Sequence, residues 1–162
     1  NSVSNNQFTE HLLRILGKQL KVETTALSSA AAVKTYLNNK GVNTTGFYIS
    51  DGCGLSRYNA FSASFMTDLL FYMQDNEDFR NSLSIAGKTG TLKYFGKGTV
   101  LQGKVVAKSG SMQRVRSYAG YITSKSGIEY SFCIIVNNYN CTSFQMKKKI
   151  EHLMVGVYVR LD

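Results

Sequence analysis

Apolar positions in the first third of the chain repeat with a helical period. Between residues 6 and 20, Phe8, Leu12, Leu13, Ile15, Leu16 and Leu20 fall on one broad stripe with polar residues between them, which predicts an amphipathic helix ending near Gly17 or after Leu20. Ser4, Asn5 and Asn6 stand where its N-terminal caps belong. A second helix is expected over residues 27–39, carried by Ala30, Ala31, Val33 and Leu37 and stopped by Gly41. Residues 46–49 read as an extended segment. Ser62 is placed to cap a third helix in which Phe65, Met66, Leu69, Leu70 and Met73 recur at three- and four-residue steps, and a helical turn follows at residues 77–83. Residues 87–103 hold five glycines among lysines and aromatics and read as an exposed connection.

Beyond Gly103 the period shortens from helical to extended. Residues 104–108, 116–123 and 128–137 read as three antiparallel strands, with turns expected at Gly110 and at Ser126-Gly127. Thr142 or Ser143 then caps a last helix, whose apolar side (Phe144, Ile150, Leu153, Met154, Val157) lies opposite Lys147, Lys148 and Lys149. The pattern gives an α+β fold: a helical segment, then a three-stranded antiparallel sheet with a C-terminal helix laid on it. No repeat, linker or proline-rich stretch divides residues 1–162, so a single domain is expected.

Composition narrows this little further. Of 162 residues, 43% are hydrophobic and 18% charged, with 10 Tyr and 9 Phe, which excludes a disordered or low-complexity chain. The longest apolar run, residues 132–136, is far short of a membrane-spanning helix, so the chain reads as soluble or at most surface-bound. A net charge of +9 favours polyanionic partners such as nucleic acid, anionic lipid or an acidic wall polymer. Cys53, Cys133 and Cys141 form no CxxC pair and only His11 and His152 could join them, so neither a metal nor any other cofactor is expected. Gly87-Lys88-Thr89 ends like a phosphate-binding loop, but Ser82 stands where that loop needs its first glycine. The run Lys147 to Lys149 reads as a solvated helix face.

A more specific constellation joins distant parts of the chain in order. Ser4-Asn5-Asn6 is a Ser-x-Asn at a helix start. Asp51-Gly52-Cys53-Gly54-Leu55-Ser56-Arg57 forms a glycine-containing loop. Gly90-Thr91-Leu92 follows, and Lys108-Ser109-Gly110 closes a strand that feeds a hairpin. In this order the sequence resembles the class C low-molecular-mass penicillin-binding proteins, the serine D-alanyl-D-alanine carboxypeptidases and endopeptidases of peptidoglycan. Their second motif is Ser-x-Asn before an apolar helix, and their third is Lys-Thr-Gly. Residues 51–57 match the family's Asp-Gly-Ser-Gly-Leu-Ser-Arg except that Cys53 replaces a serine.

Two segments compete for the third motif. Lys88-Thr89-Gly90 spells it letter for letter, whereas Lys108-Ser109-Gly110 carries Ser for Thr and so keeps the hydroxyl. The motif works from a strand edge, where backbone pairs with an extended substrate and side chains face a cleft, and only Lys108 has strands before and after it.

The resemblance implies a β-lactamase or transpeptidase-like fold and acyl transfer through a serine acyl-enzyme on peptidoglycan stem peptides, with β-lactam antibiotics as inhibitors. It implies that Ser4 relays or orients a proton near the leaving amine. Asn6 would hold the substrate amide and the lysine partner of the nucleophile. Lys108 would supply positive charge for the terminal carboxylate, to which Ser109 donates a hydrogen bond. Gly110 would let backbone approach closely, and the Ser111 N–H would form half of an oxyanion hole. No serine here has Lys three residues later. The expectation is therefore the C-terminal portion of a longer catalytic domain, inactive alone, whose N-terminal portion of the same enzyme brings the Ser-x-x-Lys nucleophile, acting in the periplasm or elsewhere outside the cytoplasmic membrane. The alternatives are a non-catalytic wall-binding or partner-binding module of the same fold, and a basic nucleic-acid binder, which would need aromatics interleaved with lysines on one face.

Overall fold

A computed structural model describes residues 1–161. The chain folds as two compact units, one formed by residues 4–69 and the other by Asn1–Val3 with the chain from Leu70 onward.

In the first unit, helix α1 (Asn6–Gln19) starts because the Asn5 side chain accepts the Phe8 N–H at 2.9 Å, relieving one of the unpaired donors of its first turn. Helix α2 (Ala26–Asn39) starts on Thr25 in the same way and ends before Gly41, whose φ of +83° turns the chain out of the helix. The two helices approach closely at Gly17, where any Cβ would lie 2.0 Å from Ser29 Oγ. A small core of Leu37, Val42, Phe47 and Phe65 gathers behind α2, with the Phe47 and Phe65 rings stacked at 4.2 Å. The expected extended segment at residues 46–49 is a single bridge, Tyr48 to Ala60. The apolar stripe of α1 is only partly used: Leu13 is buried, whereas Phe8 and Ile15 are 70% and 54% exposed and Leu12, Leu16 and Leu20 are exposed as well. Helix α3 (Ala63–Tyr72) is capped by Ser62 as the sequence predicts.

In the second unit, α4 (Glu77–Ser82) is followed by β1 (Ser84–Ile85), a 3-10 turn at Gly90–Leu92, the long strands β2 (Val105–Met112), β3 (Val115–Thr123) and β4 (Glu129–Asn137), and α5 (Ser143–Val159). The sheet is antiparallel in the order β1-β2-β3-β4, so it has four strands where the pattern predicts three. A two-residue strand carries no readable alternation, which is why β1 escapes the sequence.

Two further expectations are corrected. Gly110 is not a turn: β2 runs through it to Met112, and the hairpin closes at Gln113-Arg114 with Arg114 at φ +61°. Residues 87–103 are not an exposed connection either, because Leu92, Phe95 and Leu101 are fully buried and anchor the glycine turns between them. They share one core with Val105, Ala107, Tyr118 and Ile122 from the sheet and Met146, Ile150, Met154 and Tyr158 from α5. Helix α5 begins with a full capping box between Thr142 and Gln145. No helix among the described residues is long and apolar enough to cross a membrane.

Candidate active site

The sequence-predicted residues fall into two groups, one in each unit. Ser4 and Asn6 bracket the cap of α1, both exposed. Ser4 has φ +53°, the left-handed region that a residue with a Cβ enters only at a cost of about 1 kcal/mol or more, and strained backbone of this kind gathers at functional positions. It sets the serine just ahead of the helix rather than within it.

The loop of residues 51–57 is clamped to the same helix. Glu10 Oε1 accepts the N–H groups of Gly52 and Cys53, each at 2.9 Å, and Gly52 lies so close to α1 that a Cβ would be 2.4 Å from the Thr9 carbonyl oxygen. Asp51 ties the loop to itself, accepting from the Gly54 N–H and the Asn59 side chain at 2.7 Å each and from the Ser56 N–H. Burial pushes the Asp51 pKa up, but the hydrogen bonds from Asn59, Gly54 and Ser56 outweigh it and hold the carboxyl below its ordinary value. Glu10, Asp51 and Cys53 bring their ligand atoms within 4.8 Å of one another. Glu10 Oε1 and both Asp51 oxygens accept backbone N–H groups, so the cluster serves as a loop clamp. Burial, together with the nearby carboxylates, raises the Cys53 thiol above its usual range and makes it a poor thiolate ligand.

In the other unit, Lys108, Ser109, Gly110 and Ser111 are consecutive on β2, paired with Ala119, Tyr118, Ser117 and Arg116 of β3. Lys88, the literal competitor, lies in the turn after β1. Strand alternation sends Ala107 into the core and Lys108 to the opposite face. Lys108 is partly buried, its Nζ donates to the Ser109 carbonyl, and burial lowers its pKa below the ordinary lysine value.

The backbone direction follows from two hydrogen bonds. The Lys104 carbonyl accepts from Thr123 on β3, whereas the Val105 carbonyl accepts from Ala86 on the other side. Antiparallel alternation then aims the N–H and C=O groups of Ala107, Ser109 and Ser111 away from β3. Strand β1 pairs only with Val106 and Ala107. Among the described residues no strand pairs with this edge at Ser109 and Ser111, and the backbone there is set out like one side of a ladder. Gly110 fits between the strands because a Cβ would come within 2.4 Å of Ser117 Oγ.

This motif-bearing edge can be set beside known proteins. The sequence profile of the D-Ala-D-Ala carboxypeptidase 3 (S13) family matches residues 1–161. The chain belongs to that family. Among its relatives, the D-alanyl-D-alanine carboxypeptidase DacB of Haemophilus influenzae is 30% identical over 154 residues, covering 90% of this chain and 32% of the relative. The D-alanyl-D-alanine carboxypeptidase of an Actinomadura species is 32% identical over 145 residues, covering 85% of this chain and 27% of the relative. The chain thus spans about a third of the length of these S13 relatives. Crystalline penicillin-binding protein 4 (dacB) from H. influenzae superposes with a TM-score of 0.87 at 27% identity, over 97% of this chain and 38% of that one. A predatory endopeptidase from Bdellovibrio bacteriovorus shares the fold, with a TM-score of 0.74 at 19% identity. The helix-plus-antiparallel-sheet architecture and the family resemblance are thereby shown.

Sequence reasoning passed over Glu10 and picked out Asp51 and Thr91 only as members of matched segments, without the contacts they make: Glu10 and Asp51 build the loop beside α1, and the Thr91 hydroxyl accepts from Ser109 Oγ at 2.9 Å. Their sequence signals, an acidic residue one turn into a helix and a threonine in a glycine-rich stretch, become specific only with the partner's position known.

Proposed function

We propose that this chain is the C-terminal portion of a serine-type D-alanyl-D-alanine carboxypeptidase or endopeptidase that acts on peptidoglycan stem peptides outside the cytoplasmic membrane. The nucleophile comes from a Ser-x-x-Lys motif in another part of the same protein. The observation that carries this reading is the β2 edge at Ser109 and Ser111, with which no strand among the described residues pairs, and the partly buried cation Lys108 beside it.

An extended peptide ending in D-alanyl-D-alanine docks along that edge through main-chain hydrogen bonds. Lys108 attracts its terminal carboxylate and Ser109 donates to the same group. The outward Ser111 N–H receives the carbonyl oxygen as it gains charge, a contact whose loss typically costs about 10²-fold to 10³-fold in rate. Attack by the serine forms the acyl-enzyme and releases the terminal D-alanine, with Ser4 passing a proton to the departing amine and Asn6 holding the substrate amide. Water then frees the acyl group. A β-lactam enters by the same route, and its tethered leaving group blocks that last step. The exposed side of α1 (Phe8, Leu12, Ile15) supports a further portion of the protein covering it, and the positive net charge suits an acidic wall.

Fluorescent penicillin tests the reading. The full-length protein should label covalently, Lys108→Ala should cut labelling at least about 100-fold, and Lys88→Ala should leave it within about twofold. The 162-residue chain alone should stay unlabelled. Labelling that survives Lys108→Ala but is lost in Lys88→Ala would overturn the assignment.

A further inference from the structure

The turn at Gly90–Leu92 is built with more care than a connection requires. Leu92 is fully buried and fixes one end in the core. Gly90, at φ +52°, sits where a Cβ would be 2.3 Å from Ser84 Oγ and 2.5 Å from the Ser2 carbonyl oxygen, so only glycine admits this approach. Between them, the Thr91 N–H donates to Ser84 Oγ and to the Ser2 carbonyl oxygen, both at 3.1 Å. Ser84 is itself fully buried, and its hydroxyl donates to the Ser2 carbonyl. The backbone of Thr91 is thus held from two sides. What this places is one hydroxyl: Thr91 Oγ1 stands 2.9 Å from Ser109 Oγ on the motif strand and 3.4 Å from Ser84 Oγ.

We propose that Thr91 is a positioning residue for the carboxylate-binding hydroxyl of Ser109. This rests on the function proposed above and names a group that acts there without touching substrate. In the structure Ser109 donates to Thr91, and the row can continue from Thr91 to Ser84 and from Ser84 to the Ser2 carbonyl. A hydroxyl both donates and accepts, and its proton swings about the C–O bond while the oxygen stays in place. When a carboxylate reaches Ser109, the Ser109 proton turns to it and the Thr91 proton turns from Ser84 to the vacated lone pair of Ser109. No bond is made or broken beyond hydrogen bonds, and no oxygen moves. Ser109 then donates to an anion while accepting from Thr91, and each bond polarises the other. Without Thr91, Ser109 can turn to another rotamer and donates unaided.

The experiment is a double-mutant cycle in the full-length protein, reading hydrolysis of a diacylated Lys-D-Ala-D-Ala peptide and of its C-terminal carboxamide. Thr91→Val keeps the shape and deletes the hydroxyl. It should lower the rate on the carboxylate peptide about fivefold, the worth of one neutral hydrogen bond, and should change the carboxamide rate less than twofold. Thr91→Ser should restore the rate. In a Ser109→Ala background, Thr91→Val should have no further effect, and melting temperatures should show that each variant folds. An equal loss with and without Ser109 would overturn the proposal, as would no loss from Thr91→Val when Ser109→Ala is impaired; either defeats the role of Thr91 alone. If Ser109→Ala is itself neutral on the carboxylate peptide, the assignment of Ser109 fails, and the role of Thr91 falls with it.

Discussion

Asp51 shows how one carboxylate can shape a loop. It accepts hydrogen bonds from two backbone N–H groups and from Asn59, whose own side-chain oxygen accepts the Ser50 N–H. Because its folded pKa lies below the ordinary 3.8, the unfolded chain binds more protons between the two values. The stabilisation is therefore complete above pH 3.8 and disappears as pH falls through the folded value. Asp51→Asn should cost roughly 1 kcal/mol at neutral pH, and urea melts should show the gap to the wild type closing in that acid window. At Cys133 burial raises the thiol pKa to about 11, so the group stays protonated at neutral pH. Iodoacetamide at pH 7.5 should modify it slowly in the native protein and rapidly in 8 M urea, as a time course by mass spectrometry would show. At this scale the sequence offers Ser4, Asn6 and Lys108 as candidates, because their motifs are short stretches of adjacent residues. Their supports were not legible: Glu10 meets Gly52, and Thr91 meets Ser109, only through folding that brings separate elements together.

Elements whose signals are local came through the sequence well. Each cap falls among the residues offered for it: Asn5 of the three candidates before α1, Ser62 before α3, and Thr142 rather than Ser143 before α5, because capping involves only the next three residues. Glycine misled in the strands. Gly110 was read as a turn because it has no side chain, yet it is a strand residue for the same reason. Gly120 on β3 is stricter, with a Cβ position 2.2 Å from the Val106 carbonyl oxygen and 2.6 Å from the Ala107 Cα, so backbone itself would have to move. Denaturant melts should separate the two. Gly120→Ala should cost about 3 kcal/mol or more, whereas Gly110→Ala should cost about 1 kcal/mol and be relieved by Ser117→Ala, which removes the clashing hydroxyl.

At the scale of the molecule, the helical stripe of α1 was legible but its burial was not. The period identified a helix face, and the structure leaves most of that face uncovered. If a further portion of the protein packs there, Phe8→Ser should cost the full-length protein about 3 kcal/mol in urea melts, the usual loss for deleting a buried aromatic ring. In the 162-residue chain alone the same change should stay within about 0.5 kcal/mol. The sheet carries a related lesson, since the alternating pattern of β2 to β4 was visible and the two-residue β1 was not.

The brevity of β1 acts as a length gauge. Two more paired residues on it would zip up the rim of β2 and leave no berth for the peptide proposed to dock there, so in that proposal this stop matters to recognition as much as any side chain. A guest held there shows its amides alternately to β2 and to the outside. Peptides N-methylated on the outward amides should still bind, whereas a single methyl on an inward amide should evict them.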